Sequence, residues 1–555
     1  MREISKNITL SSFVAHMDWR ARGLGGDGSR CASGTLWLRC MARKVSRVAG
    51  MACSGGEDDE MLAASAGSAA TTARAVPVYR TGPYQFESTE KAAKLFALAE
   101  LGNIYSRIMN PTTDVLEKRM ALLEGAPELG GLGVASGTNA AFYSIINLAQ
   151  AGDNIVSARN LYGGTYTQFK DILPTLGITV KFVDSNSPKA FAEAADDKTR
   201  AFFTETVSNP ALDVADIKAI SEEAHKLGLP LIVDDTFTTP YLCRPFDHGA
   251  DIICHSLTKW TGGHGTAIGG IVIDKGTFDW STGKHLLFTE PDTSYGGLRW
   301  GIDLPEMLAP LAYILRMRTV PLRNLGGCMS PDNAWMALQG IETLPMAPTR
   351  RPFPFESERR GDGVRLLSTP PARRRRDPTT HRSTSHAAHG EALRERHEGG
   401  DAPVEAPEDR VGPLLCGNQQ ASRRWRGGYD SAVREAPRLL ISTQVRYPGL
   451  SRDPMHRLQK TYLKGKGGPL VVIGLKGGRA AGEKMINSLK LFSHVANVGD
   501  AKSLAIHPAS TTHSQLSDEE QIETGLPPEL VRLSVGIEHI DDIIKDLNQA
   551  LAQIE

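Results

Sequence analysis

The residues best suited to chemistry lie between positions 231 and 270. There an apolar run, Leu231-Ile232-Val233, ends in Asp234, and a second, Ile252-Ile253-Cys254, leads into His255-Ser256-Leu257-Thr258-Lys259. Short apolar runs closed by polar residues read as buried strands. In a parallel sheet covered by helices, ligands collect at the carboxyl ends of the strands, so neighbouring ends would set Asp234 and Lys259 against one ligand. An amine that attacks an aldehyde, a carboxylate that keeps a pyridine nitrogen protonated and hydroxyls that hold a phosphate are what a pyridoxal phosphate site needs. Lys259, Asp234, Ser256 and Thr258 are residues of those types. A lysine closing a strand is by itself more often a solvated end, so its surroundings decide.

Further candidates stand at other turns. Residues 132–140 read as a strand, a tight turn and a helix start, where the N–H groups of Gly137 and Thr138 would be free for an anion. A Ser-Gly-Thr run before a helix is equally an ordinary N-cap. Tyr162 follows the strand-like run 154–158 and offers a flat face for a ring, although a loop tyrosine is more often simply packed. Asn209 follows another such run, 201–206. Tyr105 and Arg107 lie in Tyr-Ser-Arg-Ile-Met-Asn-Pro-Thr, and a guanidinium fork suits phosphate oxygens.

Taken together, VDDT, HSLTKWTGGHG and YSRIMNPT resemble the Cys/Met-metabolism family of pyridoxal phosphate enzymes. The long loop 279–295 and the run SPDNAWM at 330–336 are similar to its O-acetylhomoserine sulfhydrylase branch. The resemblance spans about 75–345 and 447 to the C-terminus. It implies an α/β chain of PLP-dependent transferase fold type I, with a mainly parallel sheet between helices and a smaller α/β C-terminal domain. It implies pyridoxal 5'-phosphate as cofactor, bonded to Lys259, with Asp234 on the ring nitrogen and Tyr162 stacked on the ring. Gly137, Thr138, Ser256 and Thr258 would hold the phosphate, and Asn209 the phenolic oxygen or the substrate. Tyr105 and Arg107 would reach the phosphate of a neighbouring subunit. Arg532 would bind the substrate α-carboxylate with help from Asn497, and Tyr105 or Tyr162 would assist the leaving group.

The implied reaction is γ-replacement, in which O-acetyl-L-homoserine and sulfide give L-homocysteine and acetate. Cystathionine γ-synthase and methionine γ-lyase chemistry would use the same residues, and a non-catalytic member disabled by an insertion is the remaining alternative. The implied assembly is a homo-oligomer, a tetramer built from dimers with shared sites. Two positions depart from the family pattern. Asn139 replaces a small residue, and Asp235 replaces asparagine beside Asp234. Two buried neighbouring carboxyls would raise the pKa of one, so Asp235 is expected to turn toward the helix layer or a backbone amide.

These elements sit in a chain of 555 residues, long enough for two or three domains. Its 63 basic and 63 acidic residues cancel, so no global field points to nucleic acid or a membrane surface. Seven cysteines without CxxC or Cys/His metal spacing suit a reducing compartment and no metal site. No apolar run approaches the ~20 residues of a membrane span, and a cytoplasmic enzyme is expected. Residues 1–70 read as a disordered extension, a transit peptide or a gene-model artefact. An interface arm is expected over 71–113, a cofactor domain over 114–325, and a substrate domain over 326–345 and 446–555. Between its two parts, 346–445 holds eighteen arginines and no lysine, with too little apolar content to offset ordering. That composition fits a retained intron or a frame-shifted reading of GC-rich DNA, and weakened folding or activity would follow. Ile540, Ile543, Ile544, Leu547 and Leu551 recur at helical spacing as plain core.

Overall fold

The computed structural model describes residues 73–344, 357–359, 364–366 and 441–554, apart from 469, 515, 516 and 524. The expected N-terminal extension and most of the arginine-rich segment lie outside the described residues.

Seven strands form the first sheet: β1 (Gly131–Val134), β2 (Asn154–Ala158), β3 (Thr179–Val183), β4 (Thr199–Glu205), β5 (Leu231–Asp234), β6 (Ile252–Ser256) and β7 (Gly270–Asp274). Their order is β1-β7-β6-β5-β4-β2-β3. The five strands from β3 to β6 pair in parallel, and β7 runs antiparallel to both β6 and β1. Strands β2, β4 and β7 are buried at every residue. Continuous burial rather than alternation is what a sheet covered on both faces requires.

One edge of this sheet therefore gathers Val134, Ala158, Glu205, Asp234, Ser256 and the start of β7 at Gly270. The helices α1 (Pro111–Glu124), α2 (Gly137–Ile146), α3 (Gly163–Thr167) and α4 (Ile217–Lys226) follow the chemistry of their ends. Asn110 caps α1 by accepting the Thr112 N–H, Pro111 begins it, and Gly125 ends it in the left-handed region at φ 81°. Ser136 caps α2 by accepting the Asn139 N–H. A further helix, α5 (Pro331–Thr343), starts with the Ser330 cap and Pro331.

The second sheet comprises β8 (Ser357–Arg359), β9 (Val364–Leu366), β10 (Ile441–Arg446), β11 (Leu470–Leu475), β12 (Ser493–His494), β13 (Leu504–Ile506) and β14 (Leu530–Ser534), in the order β12-β13-β14-β11-β10-β9-β8. It is antiparallel except between β12 and β13. Helices α6 (Gly478–Ser488) and α7 (Ile540–Leu551) pack with Val471, Ile473, Leu475, Val531 and Leu533 in one core. On α7, Ile543, Leu547 and Leu551 are buried and Ile540 and Ile544 are half-buried. Leu470, Val472 and Leu530 belong instead to the core of the first sheet, so successive residues of β11 and β14 serve opposite faces. Within the segment expected to lack structure, 357–359 and 364–366 are strands and β10 begins at Ile441.

Candidate active site

The carboxyl edge of the first sheet carries the chemistry. Asp234 ends β5 and is half-buried, the other residues of the strand being fully buried. Its Oδ1 accepts the Thr236 N–H at 2.9 Å and the Thr236 hydroxyl at 2.5 Å. The same hydroxyl accepts the Ser256 N–H at 2.8 Å, so Thr236 ties the end of β5 to the end of β6. Burial raises the Asp234 pKa, and the two Thr236 donors oppose that rise.

Asp235 points elsewhere and is fully buried. Its Oδ1 accepts the hydroxyls of Thr206 and Thr238, and Glu124 at the end of α1 and His255 stand beside it. Its partners are thus hydroxyls rather than the backbone amide named as one option. His255 Nε2 lies 2.7 Å from Glu124 Oε1. Burial first, then Glu124, holds the Asp235 carboxyl well above the ordinary range.

Anion-binding groups meet at the end of β6. A Cβ on Gly137 would lie 2.5 Å from Ser256 Cβ and 2.8 Å from its Cα. Only glycine lets the start of α2 approach the strand so closely. No hydrogen bond within the described residues uses the Gly137 or Thr138 N–H, and the helix start directs both outward. Thr258 differs from a free hydroxyl: it donates to Gly269 O at 3.3 Å and accepts the Gly269 N–H at 3.2 Å.

Lys259 Nζ donates to Asn497 Oδ1 at 2.6 Å. Burial, then the nearby Arg532 charge, brings this amine down to about 8. Asn497 is carried by a loop whose Gly499 packs backbone to backbone on Trp260, at a φ of 76°. Arg532 reaches the same place because Val531 and Leu533 face the helices, leaving it on the opposite side of β14. It donates from Nη1 to Asn209 Oδ1 at 2.8 Å and from Nη2 to Asn497 O at 3.1 Å. Its Nε is buried without a partner, and burial pulls its pKa down to about 10.

Tyr162 is 47% exposed, and its N–H donates to Glu205 Oε1 at 2.6 Å. The fold thus brings Lys259, Asn497, Arg532, Asn209, Tyr162, Asp234, Ser256, Gly137 and Thr138 to one edge. Tyr105 and Arg107 stand apart: both are exposed, the guanidinium lies 5.5 Å over the tyrosine ring, and among the described residues no hydrogen bond or ion pair joins either to the Lys259 group.

Three neighbours escaped sequence reasoning. Glu205 ends β4 beside Asp234, and its position as a polar residue closing an apolar run was the signal that could have found it. Thr236 lies two residues past Asp234. His513, buried and near Arg532, would lie 3.1 Å from a Cβ at Gly163, and no local pattern marks it.

A lysine with a lowered pKa, a half-buried carboxylate at the neighbouring strand end, unpaired helix-start amides and a glycine cradle suit an aldehyde-bearing pyridine with a phosphate. Comparison with known proteins agrees. The family described as "Cys/Met metabolism PLP-dependent enzyme" matches residues 60–350 and 440–552. An O-acetyl-L-homoserine sulfhydrylase of Leptospira meyeri is 44% identical over 489 residues, covering 87% of this chain and 93% of that protein. A homocysteine synthase of Schizosaccharomyces pombe is 41% identical, covering 87% and 95%. A solved structure described as an O-acetylhomoserine (thiol)-lyase from Campylobacter jejuni, with N'-pyridoxyl-lysine-5'-monophosphate, superposes with a TM-score of 0.68 at 34% identity, covering 87% of this chain and 96% of that one.

Proposed function

The chain belongs to the Cys/Met metabolism PLP-dependent enzymes, and from that premise we propose that it replaces the acetate of O-acetyl-L-homoserine with sulfide to form L-homocysteine. The observation that carries this reading is that Asn497 joins the Lys259 amine to the Arg532 guanidinium at the carboxyl edge of the first sheet. The names of the relatives support the choice of substrate and acceptor.

Pyridoxal 5'-phosphate, when bound, supplies an aldehyde that takes up amines and a ring that draws electrons from Cα. Asp234 keeps the proton on the ring nitrogen. Ser256 and the Gly137 and Thr138 amides hold the phosphate, and Thr258 braces Gly269 beside them. Tyr162 covers the ring face, and Asn209 orients the phenolic oxygen while holding Arg532. Arg532 pairs both oxygens of the substrate α-carboxylate and so fixes the direction of the Cα–H bond.

Lys259 takes the Cα proton and then works at Cβ. Acetate departs from Cγ with its bonding pair, hydrosulfide adds to the same carbon, and protons return to Cβ and Cα. Tyr162 is placed to assist the departing acetate. We assign Tyr105 and Arg107 to the phosphate of a partner subunit, in a tetramer built from dimers, because both are exposed and, among the described residues, neither side chain reaches the Lys259 group. Residues 71–113 are then the interface arm, 114–325 the cofactor domain, and 326–345 with 446–555 the substrate domain. The cysteine pattern supports a reducing compartment, the cytoplasm.

The test compares purified protein with sulfide, with cysteine and with no added acceptor. Homocysteine formed with sulfide, at a rate well above the other two products, is the expected result. Faster formation of cystathionine, or of a keto acid without acceptor, would replace this reading with a synthase or lyase.

A further inference from the structure

Glu205 is a buried carboxyl at the heart of the site, 7% exposed, to which the reaction above gives no task. It is the register partner of Asp234 across β4 and β5. Its Oε1 accepts the Tyr162 N–H at 2.6 Å, and the Asn209 N–H also faces its carboxyl and opposes the rise of its pKa. No ion pair among the described residues includes it.

The two amides belong to two different loops. One loop carries the aromatic face of Tyr162, folded back so tightly that a Cβ on Gly164 would lie 2.6 Å from its ring. The other carries Asn209, whose side chain accepts from Arg532. Arg532 in turn holds the Asn497 carbonyl, and Asn497 holds the Lys259 amine. A line of polar contacts thus runs from Tyr162 through Glu205, Asn209, Arg532 and Asn497 to Lys259, hydrogen-bonded at every link but that between Glu205 and the Asn209 N–H. Every link beyond Glu205 is a residue that touches substrate or cofactor.

We propose that Glu205 is a positioning residue that locks the ring-stacking tyrosine and the carboxylate-binding arginine into one frame. Two oxygens on one short stem face both loop amides at once, and a second tie between the loops, Asn160 Nδ2 donating to Asp213 Oδ2 at 2.8 Å, lies away from the two amides. The cost of burying the carboxyl next to Asp234, visible in a pKa held well above the ordinary range by burial and by that neighbour, marks a residue kept for geometry rather than stability. Glutamine would accept one amide and turn an NH2 donor against the other. Alanine would release both.

The part of this inference that concerns Arg532 rests on the reaction proposed above, whereas the part that concerns Tyr162 needs only cofactor binding. The test uses Glu205→Gln and Glu205→Ala in the full chain. Three readings are taken: the visible circular dichroism of bound pyridoxal 5'-phosphate, its dissociation constant, and KM for O-acetyl-L-homoserine against KM for sulfide. For Glu205→Gln we expect an altered dichroism band. KM for the amino acid should rise about tenfold, with little change for sulfide. Glu205→Ala should show larger effects of the same kind.

Unchanged dichroism with unchanged KM values would overturn the proposal. So would a lowered melting temperature as the sole effect, or the failure of both variants to fold, since either assigns Glu205 to stability alone. If wild-type protein makes no homocysteine from sulfide, the reaction fails, and the dichroism and cofactor affinity still decide whether Glu205 holds Tyr162.

Discussion

Lys259 illustrates how far a residue type and its neighbours reach. Its place after an apolar run made it a candidate amine and the accompanying motifs decided for it, but its acidity depends on groups remote in sequence. Burial and the Arg532 charge bring it to about 8, against an ordinary lysine near 10.4. A neutral amine attacks an aldehyde and a protonated one does not. Uptake of pyridoxal 5'-phosphate by the apoprotein should therefore accelerate as pH rises through about 8 and level off above it. Stopped-flow absorbance from pH 6 to 10 measures this, and a rate still climbing at pH 10 would refute the assignment. Asp235 shows the opposite side of legibility. That it would turn away from Asp234 followed from the cost of two adjacent buried charges, while its partners Thr206 and Thr238 come from other segments and were invisible.

At the scale of elements, apolar runs and capping residues located most of the site. The strands 154–158, 231–234 and 470–475 begin and end where the pattern of apolar residues does, because a strand buried on both faces must be apolar throughout. Which helix braces which turn was not legible. Helix α5 packs so closely on the turn after Lys259 that a Cβ on Gly340 would lie 2.2 Å from Thr261 O and 2.3 Å from Gly262 O. These are backbone atoms and cannot swing aside. Gly340→Ala should cost about 1–3 kcal/mol of stability, the usual range for overpacking, and should weaken cofactor binding because the displaced turn carries Lys259. Urea unfolding and cofactor titration of the variant measure both, and wild-type values in each would show that α5 does not position the turn.

For the whole molecule, the question is whether one chain holds a complete site. Tyr105 is 46% exposed, and Arg107 is exposed beside it. If both serve a partner's phosphate, Lys259→Ala and Arg107→Ala proteins are each inactive, yet a mixed dimer has one site with both residues intact. Refolding the two variants together in equal amounts should restore about a quarter of wild-type activity, from half the dimers with one of two sites working. No recovery in confirmed mixed dimers would place each site within a single chain. By itself the sequence determined the cofactor class, the strand ends that bear Asp234 and Lys259, and the family, because apolar runs, turn glycines and chemically distinctive residues are local signals. Only the tertiary structure decided that Arg532 faces the lysine, that Asn497 joins them and that Glu205 stands between two loops. Those relations depend on sheet register and on which face of a strand meets the other domain, and both are set by packing among residues hundreds of positions apart.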